Sequence, residues 1–511
     1  MLQNLLSLVL VGLLAPFTMA VPKPYYAIAS TATPASSAAA SSTSTSAATG
    51  NKLVFSHFMV GIVGERTSSS DWDQDMKLAK DTGIDAFALD IGTDSFTDTQ
   101  LGYAYTSAAK YGMKLFLSFD FSYWSTSDGS GIGAKVKQYA SYPAQLTVDG
   151  KVFVSSFSGN GVDVSAIEAA AGQSLFFAPN FEPSGGDFGA IQGALNWMAW
   201  PSNGANRAPT VSSKVTVPSG DQSYINALGG KAYIAPVSPW FFTHYGAEVS
   251  YSKNWVFPSD LLWYNRWREV LTLQPRFVEV ITWNDYGESH YIGPLSSPHS
   301  DDGASKWVMD MPHDGWRDMA KPFIAAFKAG STDPDNYVTE DQLVYWYRPT
   351  PKDVNCASTD NTGSRPDGWE SMADEVFVVA LLKEAAQLVV QSGSQSTTFQ
   401  APAGVSAWSA PMGVGSQTFT VTRSGETVLS GTSLKNIVDT CPCGIYNFNA
   451  YVGTLPAPST IDELQPAGLA KFTDGLKVSC ATNTLAAGAT AASTTASSTV
   501  SVRRRSVTRA H

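Results

Sequence analysis

From residue 52 to about 330 the chain alternates short apolar runs with amphipathic stretches of helical period. Strands are predicted at 53–61, 84–91, 113–121, 151–157, 174–181, 195–200, 231–239 and 276–284. Their near-continuous apolar character fits strands buried on both faces of a parallel sheet. Between them, Ser70 is placed to cap a helix with Trp72, Met76 and Ala79 on one face, ended by Gly83. Residues 98–111 form a second helix closed by Gly112, and 260–273 a third with Trp263, Trp267 and Val270 at helical spacing. A further helix runs over 314–329 from an Asp cap to Gly330, with Pro322 predicted to kink or break it. The sixth unit has the shortest helix, about 221–228. Eight strand-then-helix units predict a (β/α)8 TIM barrel over 52–332. From 335 the texture changes to runs at 342–347, 375–381, 386–391, 417–423 and 445–452, separated by Gly, Ser and Pro turns. These predict a C-terminal antiparallel β-sandwich over 335–483.

Composition adds the ends of the chain to this picture. Residues 1–20 carry a short apolar run ending in small residues, as a secretory signal peptide does, although no Lys or Arg precedes it. Residues 21–51 are rich in Ser, Thr and Ala and too polar to offset the entropy of folding, so they read as a linker. Residues 484–511 read as a disordered Ser/Thr-rich tail ending in a basic cluster. A secreted location, with wall association, and no stable membrane insertion are expected. All four cysteines, Cys356, Cys441, Cys443 and Cys480, fall in the sandwich segment. In a secreted chain they form two disulfides with three pairings open, and the tight Cys441-Pro442-Cys443 spacing favours partners elsewhere for both. The net charge of −11 leaves no basic face for nucleic acid. Fourteen tryptophans and 20 tyrosines serve either a large core or platforms for flat apolar faces such as sugar rings.

In a (β/α)8 barrel the reactive groups stand at the carboxyl ends of the strands. Strand one offers His57, strand two Asp90, strand three Asp120, strand five Asn180 and Glu182. Strands six and seven end at Trp200 and Trp240, and strand eight in Trp283-Asn284-Asp285-Tyr286-Gly287-Glu288-Ser289-His290. Each also has a structural reading: Asp90 and Asp120 as caps or ion-pair members, His57 as a satisfied core residue, the tryptophans as packing. Asp285 and Glu288, three apart with Gly287 between them, carry the sharpest signal. Glycosidic cleavage needs one protonated and one ionised carboxyl group. Two acids in one cleft divide their pKa values in that way.

VFSHFMVGIV, ALDIG, LSFDFSYW, FFAPNFEP, NWMAWPSNG and ITWNDYGESHYIGP occur here in an order that resembles the fungal α-1,3-glucanases, or mutanases, of glycoside hydrolase family 71. The later IYNFNAYVG resembles the family's C-terminal region. The resemblance implies endo-hydrolysis of α-1,3-glucan with inversion, and a catalytic Asp and Glu in the WNDYGE segment. Glu288 is then expected as general acid and Asp285 as general base, about 6.5–9.5 Å apart. His57, Asp90, Asp120, Asn180, Glu182, Asn284 and His290 become substrate-binding or pKa-tuning groups, and Trp200, Trp240 and Trp283 stacking candidates. No cofactor and no metal are expected, since the six histidines form no HExxH or H-x-H. The partner is a polysaccharide and the chain a monomer. Two alternatives remain at this stage: a weakly active glucan-binding wall protein of the same fold, and a glycosidase of a mixed α-glucan.

Overall fold

The computed structural model describes residues 51–464 except Glu248. The predicted signal peptide, the tail from 484, the end of the sandwich segment and Cys480 lie outside these residues, as does all but the end of the linker.

Parallel strands form at β1 (Leu53–Met59), β2 (Ala86–Ile91) and β3 (Lys114–Asp120). A two-residue strand, β4 (Thr147–Val148), turns back on β5 (Lys151–Phe157), followed by β6 (Leu175–Phe177), β7 (Gly193–Leu195) and β8 (Ala232–Val237). A short hairpin, β9 (Phe242–Tyr245) and β10 (Lys253–Val256), precedes β11 (Phe277–Val280). The parallel neighbours run β7-β8-β11-β1-β2-β3-β5-β6. The end strands β6 and β7 share no ladder, but Gln192 N–H donates to the Phe177 carbonyl (3.0 Å) and Leu195 N–H to that of Pro179 (2.9 Å).

Side-chain alternation shows how far the sheet curls. Phe55, Ala88, Phe116, Phe153, Phe176, Leu195, Ile234 and Phe277, one from each parallel strand, meet in a single buried cluster. Their sequence neighbours, such as Phe87, Leu89 and Val278, face instead a second cluster shared with the helices. Those helices are α1 (Asp73–Thr82), α2 (Thr97–Tyr111), α3 (Gly129–Tyr139), α4 (Val164–Ala171), α5 (Val217–Leu228), α6 (Leu262–Leu273), the single turn α7 (Ser305–Val308) and α8 (Asp314–Lys328).

Three local expectations change. A 3-10 turn over Ser69–Trp72 precedes α1, and its entry is held by Asp71, whose carboxylate accepts the Thr67 and Ser68 N–H groups (2.8 and 3.1 Å), so Ser70 is not the cap. Helix α8 runs through Pro322 unbroken. Its Trp316, Met319, Phe323 and Phe327 are buried in the core, which offsets the hydrogen bond Pro322 cannot make. The sixth-unit helix α5 is longer than its apolar pattern suggested, and the connection without a helix is the one between β6 and β7.

The C-terminal region holds two antiparallel sheets. The first orders β16 (Gly404–Pro411), β13 (Glu375–Leu382), β12 (Gln342–Tyr347) and β19 (Tyr451–Leu455). The second orders β15 (Gln395–Ala401), β14 (Ala386–Ser392), β17 (Gln417–Arg423) and β18 (Glu426–Thr432). Leu343, Tyr345 and Val378 of the first share a core with Leu388, Val390 and Phe419 of the second. The opposite face of the first sheet, with Val344, Trp346 and Val379, packs into the cluster containing α8.

The long connection after β12 reaches back to the β9–β10 hairpin. Val256 N–H donates to the Asp367 carbonyl (2.9 Å) and Asp367 N–H to that of Asn254 (3.1 Å). His244 Nε2 donates to Asp360 (2.6 Å). A disulfide between Cys356 and Cys441 staples the same connection, so Cys441 does pair away from Cys443.

Candidate active site

The outer end of the curled sheet is polar because the inward positions change character two residues on. Above Phe55 stands His57, above Ala88 Asp90, above Phe277 Glu279, and above Leu195 Trp197. His57 is wholly buried and donates from Nδ1 to Glu279 (2.8 Å) and from Nε2 to Asp90 (3.0 Å). Burial opposes its charge, yet the hydrogen bonds and charges of Asp90 and Glu279 outweigh that and raise its pKa to about 10. Asp120, farther up β3, has its carboxyl pKa raised by burial and then by the Asp90 charge. His57, Asp90 and Asp120 thus belong to one cluster. Glu279 completes it; a lone acid inside the apolar run FVEV was the signal for it in the sequence.

Beyond β11 the chain turns sharply through 281–290. Trp283 N–H donates to the His57 carbonyl (2.7 Å). The Asn284 side chain accepts from Met59 N–H (2.8 Å) and donates to the Met59 carbonyl (3.2 Å). Asn284 therefore laces the end of β1 to the turn that carries the acids. Asp285 N–H donates to Thr282 Oγ1 (2.9 Å), and Glu288 N–H donates to Asp285 Oδ1 (2.9 Å). His290 Nε2 donates to Glu288 Oε2 (3.0 Å) and lies 3.7 Å from Asp285 Oδ2. Thr282 Oγ1 stands 3.1 Å from His290 Nδ1, and His290 is itself fully buried under Trp200 and Phe241. Lys253, from β10, pairs with Glu288 Oε1.

The two acids are polarised in opposite directions. Burial, and then the Glu288 charge, raise the Asp285 pKa against the opposing influence of His290 and Lys253. Burial also acts to raise Glu288, but Lys253 and His290 prevail and bring it down to about 2. This polarity is the reverse of the acid and base roles expected from the resemblance. The separation differs as well: one oxygen of each carboxyl group and a His290 nitrogen lie within 4.8 Å of one another. That is tighter than the expected gap of about 6.5–9.5 Å. The turn draws both groups toward one imidazole. The same three atoms could ligate a cation, but the Lys253 ammonium already neutralises Glu288.

Asp302 and Tyr245 adjoin the pair. Burial, with the Asp285 charge behind it, pushes Asp302 up to about 6. Gly287 leaves room for both: a Cβ there would stand 2.4 Å from the Tyr245 hydroxyl oxygen and 2.8 Å from Asp302 Oδ2. Gly287→Ala is therefore expected to destabilise the protein by about 1–3 kcal/mol and to lower turnover. Chemical denaturation and an activity assay on the same preparation check both effects. Tyr245 and Lys253 come from the β9–β10 hairpin and Asp302 from a loop, and the sequence gave no sign of their convergence.

The three stacking candidates are corrected. Trp283 is buried outside the sheet, its indole donating to Asp75 of α1 (2.8 Å) and its ring against Phe87 (5.0 Å). Trp240 is buried toward the C-terminal sheets, donating to the Phe448 carbonyl (2.9 Å). Trp200 is buried between Phe257 and His290. None offers a free face. Trp197 is the partly exposed tryptophan of the cleft, its ring 4.8 Å from His57. Asn180 is buried and braces the end of β6, donating to the Leu195 carbonyl and the Tyr224 hydroxyl (both 3.0 Å). Glu182 is exposed in the loop beyond, apart from these clusters' hydrogen bonds.

The sequence profile of glycosyl hydrolase family 71 matches residues 50–465. A mutanase of Penicillium rubens is 43% identical over 84% of this chain and 94% of its own. A glucan endo-1,3-alpha-glucosidase of Schizosaccharomyces pombe is 40% identical over 79% of this chain and 95% of its own. An ascus wall endo-1,3-alpha-glucanase of the same yeast is 29% identical over 78% and 96%. Among solved structures, an endo-alpha-mannosidase of family GH99 from Bacteroides thetaiotaomicron aligns at 12% identity and a TM-score of 0.39, over 54% of this chain and 98% of that one.

Proposed function

The chain belongs to glycosyl hydrolase family 71 and is a glucan-hydrolysing glycosidase; from that premise we propose that it is an endo-α-1,3-glucanase whose proton donor is Asp285 and whose ionised partner is Glu288. The observation that carries the assignment is the unequal contact of the two acids with cationic groups: Lys253 and His290 hold both oxygens of Glu288, whereas Asp285 Oδ2 stands 3.7 Å from His290. A donor must hold its proton until the leaving oxygen needs it, and Asp285 has the raised pKa. Glu288, gripped at both oxygens by Lys253 and His290, stays charged and takes the proton of the attacking water. Asp285 accepts one N–H through Oδ1 and is 18% exposed, so its side chain is the freer of the two. An inverting water requires a gap of about 6.5–9.5 Å, so in this proposal the Asp285 side chain turns away from His290 when glucan is bound. Asp90, Asp120 and Glu182 contribute to substrate binding; His57 holds Asp90 in place, and Asn284 and His290 position the acids.

The eight-stranded interior cluster and the two hydrogen bonds between the β6 and β7 segments support closure into a (β/α)8 barrel over 52–332 lacking one helix. The shared core of the two antiparallel sheets supports a β-sandwich from 335. The name of the ascus wall relative and the apolar run within residues 1–20 support an extracellular or wall location. Among the described residues no helix is long and apolar enough to cross a membrane. The chain is proposed to act as a monomer without cofactor.

Incubation with linear α-1,3-glucan tests the reading. Oligosaccharides released first in the β-anomeric form are expected; no release, or first products in the α form, would overturn the activity or the inversion. The pH dependence follows from the two acids. Activity needs Glu288 ionised and Asp285 protonated, so it is expected to fall toward pH 2 on one side. On the other it falls as pH rises through the raised Asp285 value. Lys253 lowers both pKa values, so Lys253→Met is expected to move both limbs of kcat/KM to higher pH. Unmoved limbs would show that Lys253 does not set the charge state.

A further inference from the structure

The buried tryptophans leave open which ring meets the sugar. Among the described residues the exposed large apolar side chains are Tyr123, Tyr142, Val211, Tyr251, Val414 and Ile461. Tyr142 follows α3 and lies at the end of the sheet where strands begin, away from the acids. Tyr123 follows β3, at the end where strands finish, and is 67% exposed.

Its setting is specific. Tyr123 N–H donates to the Asp120 carbonyl (3.0 Å), which fixes the turn out of β3. Trp124 anchors the same turn, its indole donating to the Ile91 carbonyl (3.0 Å). The Tyr123 ring lies over Gly92 at the end of β2, where a Cβ would come within 3.3 Å of ring atoms Cγ and Cδ2. Glycine thus lets the ring approach the chain closely at this point, while the side chain as a whole stays largely exposed. The phenol lies close enough to Asp120, Asp94 and Asp90 for their charges, after burial, to raise its pKa. Asp90 Oδ1, on the neighbouring strand β2, is buried without a hydrogen-bond partner, while Oδ2 is held by His57.

We propose that Tyr123 is the stacking platform for one glucose ring of the bound glucan, with Asp120 and Asp90 Oδ1 accepting hydroxyls of that ring. This rests on the α-glucan reading above and adds where the polymer is gripped. A pyranose carries an apolar C–H face and an edge of hydroxyl donors; a fixed aromatic face bordered by carboxylates matches both. Strands β11, β1, β2 and β3 are consecutive neighbours. At about 4.8 Å per strand β3 stands roughly 10–15 Å along the sheet from β11, the strand that leads into the turn carrying Asp285.

The test measures binding calorimetrically in an Asp285→Asn background, so that no substrate is consumed. The probe is a short soluble α-1,3-linked glucose oligomer. Tyr123→Ala is expected to weaken binding about 10-fold, the ratio equal to ~1.4 kcal/mol. Tyr123→Phe, which keeps the ring, should stay within about twofold of the parent, and both variants should melt with the parent because the ring is exposed. Binding by Tyr123→Ala within about twofold of the parent overturns the platform, as does a loss in Tyr123→Phe equal to that in Tyr123→Ala. A parent that does not bind the oligomer overturns both the platform and the α-1,3-glucan reading; a binding parent with an unaffected Tyr123→Ala overturns the platform alone.

Discussion

Asp285→Asn is expected to lower turnover of α-1,3-glucan at least about 100-fold while the protein stays folded. Asparagine keeps the acceptor oxygen that receives the Glu288 N–H, so the turn from 282 to 290 retains its shape. It cannot give up a proton to the leaving oxygen. The replaced carboxyl group already has a raised pKa, so a neutral amide is electrostatically the closest substitute. Glu288→Gln is expected to lose activity to a similar extent for another reason: Lys253 is left without its anionic partner and the attacking water without its base. Turnover and a thermal melt measured together separate chemistry from folding. An Asp285→Asn protein with near-wild-type turnover would remove Asp285 from the mechanism.

The second large effect is on stability. His57→Leu is expected to destabilise the protein by about 3–5 kcal/mol, because it strips the partner from Glu279 and Asp90 inside the sheet. Glu279 is completely buried, and its Oε2 already has no hydrogen-bond partner. Glu279→Gln keeps a side chain able to accept from His57 and is expected to cost less. The linkage has a definite sign. The folded pKa of His57, about 10, is above the ordinary histidine value of 6.5. Its contribution is complete below the unfolded value and disappears as pH rises through the folded one. Denaturant titration of wild type and His57→Leu at neutral pH measures the difference; a loss under about 1 kcal/mol would mean that the two carboxyl groups find other partners.

Where apolar residues ran together, as at 151–157 and 342–347, or alternated cleanly with polar ones, as at 417–423, sequence and structure agree on a strand. Polar or glycine-bearing strands escaped, among them β15 with Gln395, Ser396 and Thr397, and β18 with Ser430 and Gly431, because little in their side chains marks a buried face. The region 445–452 was apolar for a different reason: only Tyr451 onward pairs in a sheet, and the preceding residues fill the seam with the parallel sheet.

The tryptophans show where periodicity loses authority. Alternation from Phe277 would point Trp283 inward, but β11 ends at Val280 and the chain turns before reaching it. Trp200 follows a strand that ends at Leu195, five residues earlier. Past a strand end, odd and even positions no longer predict a face. The acids of the same turn were legible because their chemistry is carried by residue type and close spacing. Lys253 and Asp302 were not, because their approach depends on a hairpin and a loop on either side of the turn in sequence, brought together only by the fold.

The claim on which the mechanism depends is the order in which two carboxyl groups take up protons. Carbon-13 NMR of side-chain carboxyl groups, assigned with Asp285→Asn and Glu288→Gln, follows each through an acid titration. Asp285 is predicted to protonate first as pH falls, above the ordinary aspartate value, and Glu288 last, near pH 2. Glu288 protonating before Asp285 would contradict the assignment and return the donor role to Glu288.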